Sequence, residues 1–231
     1  MAEPPFTRVD LERLRRFDTP TICNGLELLV PERRGHFYTV EPLVAADRSL
    51  PPMLGRARVG TLRAKAPATG RVADRLDWYD YVAASDLPTV VVLQDLDDPP
   101  GYGAFWGEVH SAVHKALGAE GCVTNGSFRD VDMLAKGFQI LGGRIGPSHA
   151  FVHLVGFGEP VEVCGMRVAH DDLIHADYHG AVVIPADCVA RLPDAIDTVA
   201  RRERVILDAC ADPEFTSARL REAIRRSGEI H

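Results

Sequence analysis

The sequence predicts an α/β fold with parallel strands, and three observations support this prediction. Residues 90–93 form a continuous apolar run, short enough for a strand that is buried on both faces. Residues 105–117 place apolar side chains at helical spacing, and a second short apolar strand follows at 122–124. The next loop leads into a further predicted helix at 130–135. Strand, loop and helix in this repeated order are typical of βαβ units, whose parallel strands bring their ligand-bearing loops to one edge of the sheet.

The other elements follow from periodicity and from helix start and stop signals. A short helix is predicted over residues 9–17, and Thr19 with Pro20 caps and opens a second helix that ends at Leu29 before Pro31. The remaining predicted elements are a strand at 57–64, a helix at 72–84, an extended segment at 138–145, short strands at 161–163, 166–168, 173–174 and 181–184, and a mostly helical tail from residue 187 onward. No internal repeat or low-complexity linker divides the chain, so we expect a single domain over residues 1–231 with helical segments at 1–30 and 187–231.

Composition limits the class of protein. The chain has 231 residues, of which 46% are hydrophobic and 26% charged, as is typical of soluble globular proteins. Its net charge of −7 has the wrong sign for a surface that follows nucleic-acid phosphates, so we expect no nucleic-acid partner. A small anionic substrate still fits a local pocket of arginines and helix amides. No apolar stretch is long enough for a membrane span and the five cysteines contain no CxxC pair, so we expect a cytoplasmic protein without membrane contact.

Several motifs that suggest chemistry also have an ordinary structural reading. The glycines of residues 101–107 do not match GxGxxG, which favours a permissive loop before a helix over a nucleotide site. His110 and His114 stand one helical turn apart and could bind zinc, but packed or surface histidines are the favoured reading. The two histidines and the aspartate of residues 175–179 could hold a metal, but a β-turn at the end of that segment is favoured. Ser127 lies outside a GxSxG motif, and no cysteine has an activating context.

The most informative group is Glu108 together with Arg129 and Asp130. Each lies just after a predicted buried strand and near a predicted helix start, so the two loops should converge. Arg129 offers a planar set of donors that matches a carboxylate or a 2-oxo acid, while Asp130 and Glu108 are hard oxygen donors suited to Mg²⁺ or Mn²⁺. The first-turn amides beyond Gly107 could also receive a carboxylate. A loop salt bridge with an acid at a helix N-terminus explains the same residues, and spacing alone leaves both readings open.

Five motifs in the chain occur together in a characteristic order. They are TPTICNGLE at 19–27, GRARVGT at 55–61, WGE at 106–108, GCVTNGSFRD at 121–130 and DLIHADYHGAVVIP at 172–185. In this combination the chain resembles the RraA-like family, which includes 4-hydroxy-4-methyl-2-oxoglutarate aldolases and regulators of ribonuclease E activity. The resemblance implies an α/β fold arranged as a layered α/β/β/α sandwich, similar to the swivelling phosphohistidine domain. It also implies a homotrimer or homohexamer with active sites at subunit boundaries.

The resemblance further implies an enzyme, namely a class II, metal-dependent pyruvate aldolase that often also decarboxylates oxaloacetate. In the family pattern Arg129 binds the 2-oxo acid substrate, and Asp130 holds Mg²⁺ or Mn²⁺, partly through water. Glu108 occupies the position of an acid near the metal waters, and the amides of Val109 and His110 receive the substrate carboxylate. Two alternatives remain open: another metal-enolate reaction on a related oxo acid, or a non-catalytic ring that regulates a ribonuclease by protein binding.

The sequence departs from the family pattern at three positions. Glu108 and Asn125 stand where family aldolases generally have aspartate, and Met133 stands where they have an acid. Asp132 could replace that lost acid only if the predicted helix starts in a shifted register. Some family members donate a further acid from the tail of a neighbouring subunit, and the candidates for it here are Glu203, Asp208 and Glu214.

Overall fold

The computed structural model describes residues 6–230, so residues 1–5 and 231 of the predicted domain and terminal segments lie outside the described residues. The helices are α1 (Arg8–Leu14), α2 (Thr19–Leu29), α3 (Arg75–Ala83), α4 (Glu108–Ala116), α5 (Leu192–Ala211) and α6 (Ser217–Gly228). The strands are β1 (Val44–Ala45), β2 (Met53–Arg63), β3 (Thr89–Asp95), β4 (Ala104–Trp106), β5 (Ala119–Thr124), β6 (Ser127–Phe128), β7 (Gln139–Gly142), β8 (Arg144–Ile145), β9 (His153–Phe157), β10 (Val161–Val163), β11 (Met166–Val168), β12 (Leu173–Asp177) and β13 (Gly180–Ile184).

The main sheet has parallel strands at its centre and antiparallel strands towards both edges. Its order is β1-β7-β5-β3-β2-β12-β13, and β2, β3, β5 and β7 are parallel neighbours. β1, β12 and β13 pair antiparallel, and β9 pairs antiparallel with the second half of β2. The predicted α/β class is therefore confirmed as a mixed α/β fold, and the predicted strand over residues 90–93 is its central strand β3.

The central strand is buried on both faces because its successive side chains enter different apolar clusters. Val90 and Val92 belong to a cluster that includes the β10–β11 hairpin, while Val91 and Leu93 belong to a cluster around Trp78. Full burial of one such side chain contributes about 1.5–3 kcal/mol, so both faces of the strand are strongly held. The cluster around Trp78 also supports the elements that carry the candidate site.

The terminal helices cover one part of the sheet through close packing. Asp18, not the predicted Thr19, is the N-cap of α2, and its side chain accepts a hydrogen bond from the Thr21 amide at 2.8 Å. Gly25 permits the contact between α2 and α5, because a Cβ at this position would lie 2.7 Å from Cδ1 of Leu192. The predicted helical tail is present as α5 and α6.

Two of the predicted helices are shorter in the structure than the sequence predicts. Both lie next to the small parallel sheet formed by β4, β6 and β8. Residues 105–106 belong to β4, and the predicted helix over 105–117 begins only at Glu108, because the buried side chains of β4 pack into the core before the chain turns at Gly107. The predicted helix over 130–135 is a single 3-10 turn, Val131–Met133. It cannot continue because Asp130 is left-handed and Leu134 is already extended.

Candidate active site

The turns after β4 and β6 meet at one cleft, as the sequence predicts. β4 and β6 are parallel neighbours, so their carboxyl ends lie side by side. Gly107, Glu108, Arg129 and Asp130 line the cleft together with residues of β9 and the start of α3. The cleft has a volume of about 1090 Å³, slightly above the range typical of ligand sites, ~300–1,000 Å³.

Arg129 and Asp130 face each other at this cleft. Nε of Arg129 lies 3.4 Å from Oδ2 of Asp130, and the two side chains are 37% and 24% exposed. The Arg129 amide donates to the Trp106 carbonyl at 3.0 Å, which fixes the backbone of the turn. Within residues 6–230, the terminal guanidinium nitrogens of Arg129 and Oδ1 of Asp130 have no hydrogen-bond partner. Both groups therefore have free donor or acceptor positions for a ligand.

The backbone of Asp130 has an uncommon conformation. Its φ of 55° and ψ of 40° lie in the left-handed region, which aspartate tolerates better than most non-glycine residues. Residues held in such conformations are enriched at functional sites, where the surrounding structure maintains them. Here the conformation turns the chain sharply after β6 and places the Asp130 carboxylate beside α4.

Gly107 allows the approach of Asp130 to α4. A Cβ at Gly107 would lie 2.6 Å from Oδ2 of Asp130. Gly107 is also the N-cap of α4, and this helix has no side-chain cap. The Glu108 amide points to Oδ2 of Asp130 at 3.4 Å, and the next two amides, of Val109 and His110, are the first-turn donors that a helix leaves without a partner in the helix itself. The site thus combines free helix amides, a guanidinium and a carboxylate.

Glu108 lines the same cleft in the first turn of α4. Its residue is exposed, and its side chain makes no hydrogen bond or ion pair with another of the described residues. An acid at this position is favoured by the positive end of the helix dipole. The Glu108 carboxylate is therefore an accessible base at the rim of the site.

The pair His110 and His114 is a packing unit and not the metal pair that the spacing allowed. Nδ1–H of His114 donates to the His110 carbonyl at 2.7 Å, and its Nε2 accepts from the Trp78 indole at 2.9 Å. Both ring nitrogens of His114 are thus occupied. Burial lowers the pKa of each histidine to about 4, so both rings are neutral near pH 7. This contact joins α3 to α4.

The second histidine cluster is a hairpin, as the favoured reading predicted. His175 is fully buried, and its nitrogens pair with Thr19 Oγ1 at 3.1 Å and with the Phe17 carbonyl at 3.0 Å. Asp177 accepts hydrogen bonds from the amides of Thr19 and His179, both at 2.8 Å. Within residues 6–230, no group of three His, Cys, Asp or Glu side chains is arranged to hold a metal.

Sequence reasoning missed four basic residues of the cleft. Arg71 lines it from the segment before α3, Arg75 from the first residue of α3, and His149 and His153 from the segment around β9. Nothing in the local sequence separates these residues from the other bases of the chain. Only the pairing of β9 with β2 brings this segment to the site.

Comparison with known protein families agrees with the motifs. A family model described as RraA-like, Aldolase/RraA, matches residues 19–183, which is most of the chain. The chain belongs to the RraA-like family. The matched range includes the four site residues Gly107, Glu108, Arg129 and Asp130.

Solved structures share this RraA-like fold at low sequence identity. An uncharacterized protein from Pseudomonas syringae pv. tomato is 18% identical, with a TM-score of 0.68 over 96% of this chain and 99% of that one. RraAS2 of Streptomyces coelicolor, described as an unusual member of the RNase ES inhibitor RraA protein family, is 23% identical, with a TM-score of 0.63 over 88% of this chain and 96% of that one. No curated protein matches the sequence significantly. Among the described residues, no helix is long and apolar enough to cross a membrane.

The departures from the RraA-like pattern have different structural outcomes. Asn125 lies away from the cleft, where its side chain accepts from the Asp95 amide at 2.7 Å and donates to the Asp95 carbonyl at 3.0 Å. Met133 and Asp132 are exposed and do not line the cleft, so Asp132 does not replace the lost acid. Glu108 is the departure that remains at the site.

The RraA-like aldolases use a divalent metal, and the donors present here fit a hydrated ion. Mg²⁺ is commonly held through one or two carboxylates while it keeps several waters. Asp130 offers a free oxygen at the cleft, and Glu108 is an exposed acid that lines the same cleft. These residues suit a hard, water-rich cation and do not form a closed protein cage.

Proposed function

We propose that the chain is a divalent-metal-dependent lyase, a class II pyruvate aldolase that cleaves a 4-hydroxy-2-oxo acid to pyruvate and also decarboxylates oxaloacetate. The observation that carries this proposal is the pairing of Arg129 with Asp130 beside the uncapped start of α4, all open to one cleft. The terminal guanidinium nitrogens of Arg129 and Oδ1 of Asp130 remain free to bind a ligand, which a purely structural ion pair would not require.

Each residue has a role that follows from its chemistry. Asp130 would hold the Mg²⁺ or Mn²⁺, a hard cation that proteins commonly bind through one or two carboxylates. Arg129 binds the 2-oxo acid through its terminal nitrogens, because a planar guanidinium matches two adjacent oxygens. The amides of Val109 and His110 receive the substrate carboxylate at the positive end of α4, and Gly107 leaves room for it.

The bond cleavage needs charge to be stabilised on the 2-oxo oxygen. When bound, the divalent ion supplies Lewis-acid polarisation of that oxygen. Arg129 donates hydrogen bonds to the same region, so the negative charge that develops as the C–C bond breaks is countered by a fixed positive group. The Glu108 carboxylate accepts the proton of the substrate's 4-hydroxyl, directly or through one water.

The lysines of the chain support a metal-dependent reaction over a Schiff-base reaction. Lys65, Lys115 and Lys136 are the three lysines, and none lines the cleft. Nζ of Lys65 donates to the Asp98 carbonyl at 2.8 Å, and Nζ of Lys115 donates to the Lys136 carbonyl. A covalent imine with the substrate would require an amine within the site.

Pyruvate release tests the proposal. The substrates are 4-hydroxy-4-methyl-2-oxoglutarate and oxaloacetate, each with Mg²⁺ and then with excess chelator. We expect chelator to abolish turnover and Asp130→Asn to lower kcat/KM by about a hundredfold or more, because metal polarisation supplies several kcal/mol. Asp132→Asn is the matched control, since it removes an exposed carboxylate from the same turn and should retain activity. Turnover that survives both chelator and Asp130→Asn would refute the proposal.

Two other activities are the alternatives. A related metal-enolate reaction, such as hydrolysis or tautomerisation of an oxo acid, would use the same residues and would appear as loss of an oxo acid without pyruvate release. A non-catalytic ring that binds a ribonuclease is favoured by the net charge of −7 but has no use for the Arg129–Asp130 arrangement. Retention on an immobilised ribonuclease, with or without metal, would support the ring.

The proposal extends to assembly, fold detail and location. We propose a homotrimer or homohexamer, a layered α/β/β/α sandwich that resembles the swivelling phosphohistidine domain, and a cytoplasmic protein. Cys23, Cys122, Cys164, Cys188 and Cys210 are all unpaired within the described chain, which suits a reducing compartment. Equilibrium sedimentation measures the subunit number.

A further inference from the structure

Ser111 is a fully buried side chain of α4 to which the proposed reaction assigns no role. Its hydroxyl donates to the Glu108 carbonyl at 2.8 Å. The same hydroxyl accepts from the Ala135 amide at 3.0 Å. A serine inside a helix commonly bonds a carbonyl of the preceding turn, so the first contact by itself is ordinary. The second contact is not local, because Ala135 lies 24 residues further along the chain.

The two partners of Ser111 belong to the two halves of the candidate site. Glu108 is in the first turn of α4, whose free amides are the proposed receptors of the substrate carboxylate. Ala135 ends the short segment that begins at Asp130, the proposed metal ligand. One hydroxyl therefore joins the anion-binding turn to the segment that carries the metal-binding carboxylate.

The segment from Asp130 to Ala135 is short and connected at both ends. The Met133 amide donates to the Asp130 carbonyl at 2.8 Å, which closes the 3-10 turn. Before this turn, the Arg129 amide is bound to a carbonyl of β4. The position of Asp130 is thus set by β4 on one side and by the hydroxyl of Ser111 on the other.

The other contacts between α4 and this segment constrain it less. The Glu108 amide lies 3.4 Å from Oδ2 of Asp130, which is longer than the range of about 2.7–3.2 Å typical of N–H···O hydrogen bonds. Nζ of Lys115 donates to the Lys136 carbonyl, but Lys115 is exposed and lies near the other end of α4. Water can replace an exposed hydrogen bond, whereas the buried partners of Ser111 would lose theirs without compensation.

The second buried polar side chain of α4 has a different function in the fold. His114 joins the His110 carbonyl to the Trp78 indole of α3. Because α3 carries no group of the proposed reaction, this contact holds the helix without relating the two halves of the site. Ser111 is the side chain that relates them.

We propose that Ser111 is a positioning residue that couples the two halves of the site, so that a 2-oxo acid bound at α4 strengthens the binding of the divalent ion at Asp130. A small ligand can contact both halves without strain only when their spacing is fixed in advance. Such coupling is reciprocal, so the ion also strengthens the binding of the oxo acid. This inference rests on the proposed function, because it places the ion at Asp130 and the carboxylate of the oxo acid at α4.

Calorimetric titration of Mg²⁺ into the full chain, with and without saturating pyruvate, measures the coupling. We expect pyruvate to lower the Kd for Mg²⁺ by about tenfold in the wild-type chain, within the range typical of coupled ligands. In Ser111→Ala the effect of pyruvate should fall to about threefold or less, while the Kd without pyruvate should stay within about twofold of the wild-type value, because Asp130 is retained. Loss of folded protein would lower the binding stoichiometry and not the ratio of the two Kd values.

Two sets of variants serve as controls. The Ser85 hydroxyl also donates to one carbonyl and accepts from one amide, both of Leu87, but Ser85 does not line the cleft. Ser85→Ala should therefore keep the wild-type effect of pyruvate. Ser111→Thr and Ser111→Val have nearly the same shape and differ in the hydroxyl. Ser111→Thr should keep the coupling that Ser111→Val loses, even where the added methyl group lowers the stability of both.

The outcomes separate the role of Ser111 from the proposed function. If pyruvate lowers the Kd for Mg²⁺ equally in the wild-type chain, Ser111→Ala and Ser111→Val, the positioning role is refuted and the function stands. The positioning role is also overturned if Ser85→Ala loses the coupling, or if Ser111→Thr and Ser111→Val lose it to the same extent. If Mg²⁺ does not bind to the wild-type chain, or if pyruvate leaves its Kd unchanged there, the proposed function fails and the positioning role fails with it.

Discussion

Gly107 is the position where a single methyl group tests the geometry of the site. In Gly107→Ala the new Cβ would lie 2.6 Å from Oδ2 of Asp130 and 3.3 Å from Cγ of Arg129. Favourable contacts between non-bonded heavy atoms begin near ~3.5 Å, so the carboxylate must retreat by roughly 0.9 Å. The backbone at Gly107 is extended, with φ of −170°, so alanine adds no backbone strain.

This displacement should weaken function much more than stability. A misplacement of about 1 Å at a catalytic group costs up to ~10²-fold in rate, so we expect kcat/KM for the oxo acid to fall about ten- to a hundredfold. Mg²⁺ should also bind more weakly, because the carboxylate that we propose as its ligand has moved. The free energy of unfolding should fall by only about 1 kcal/mol, since glycine is preferred over alanine at an N-cap. Pyruvate release, calorimetry with Mg²⁺ and urea denaturation measure these three quantities.

A control and a double mutant make the reasoning refutable. Gly156→Ala is the control, because its Cβ would meet only Oγ1 of Thr61, at 3.9 Å. In the background of Asp130→Gly the close contact with the carboxylate is gone, so the stability effect of Gly107→Ala should be smaller there by about 0.5 kcal/mol or more. Wild-type activity in Gly107→Ala, or strictly additive stability effects, would show that the approach of Asp130 to α4 has no role.

Two further predictions concern stability. Burial lowers the pKa of His114 and of His175 from 6.5 to about 4, so the unfolded chain takes up protons first as the pH falls. The contribution of each neutral histidine to the free energy of unfolding is present above about pH 6.5 and is lost progressively as the pH falls to about 4. At pH 5 the loss is about 2 kcal/mol per histidine. A urea midpoint that is equal at pH 7 and pH 5 would contradict this prediction. Asn125→Asp restores the family residue but removes the donor to the Asp95 carbonyl and adds charge beside the Asp95 carboxyl, whose pKa burial already raises. It should cost about 1–3 kcal/mol, and an unchanged melting temperature would show that the hydrogen bond is dispensable.

Much of the fold could be predicted because its signals are local. The apolar run at 90–93 and the turn chemistry around Pro20 specify a buried strand and a helix from neighbouring residues alone. The predictions failed at 105–106 and 130–135, where packing overrides local preference. Phe105 and Trp106 have helical spacing with the residues after them, yet their burial in the small sheet makes them a strand. The left-handed Asp130 has no local sequence signal that separates it from a helix start.

The sequence by itself determined the family, the α/β class and the identity of Arg129, Asp130 and Glu108 as candidate residues, because motifs and strand–loop–helix order are properties of the chain. Only the tertiary structure decided which groups share the cleft. It brings Arg71 and Arg75 to the site through β9 and removes Asn125 and Met133 from it. In the folded chain, both ring nitrogens of His114 are engaged in hydrogen bonds. These outcomes depend on contacts between residues far apart in the chain, and such contacts are set by packing that local patterns do not encode.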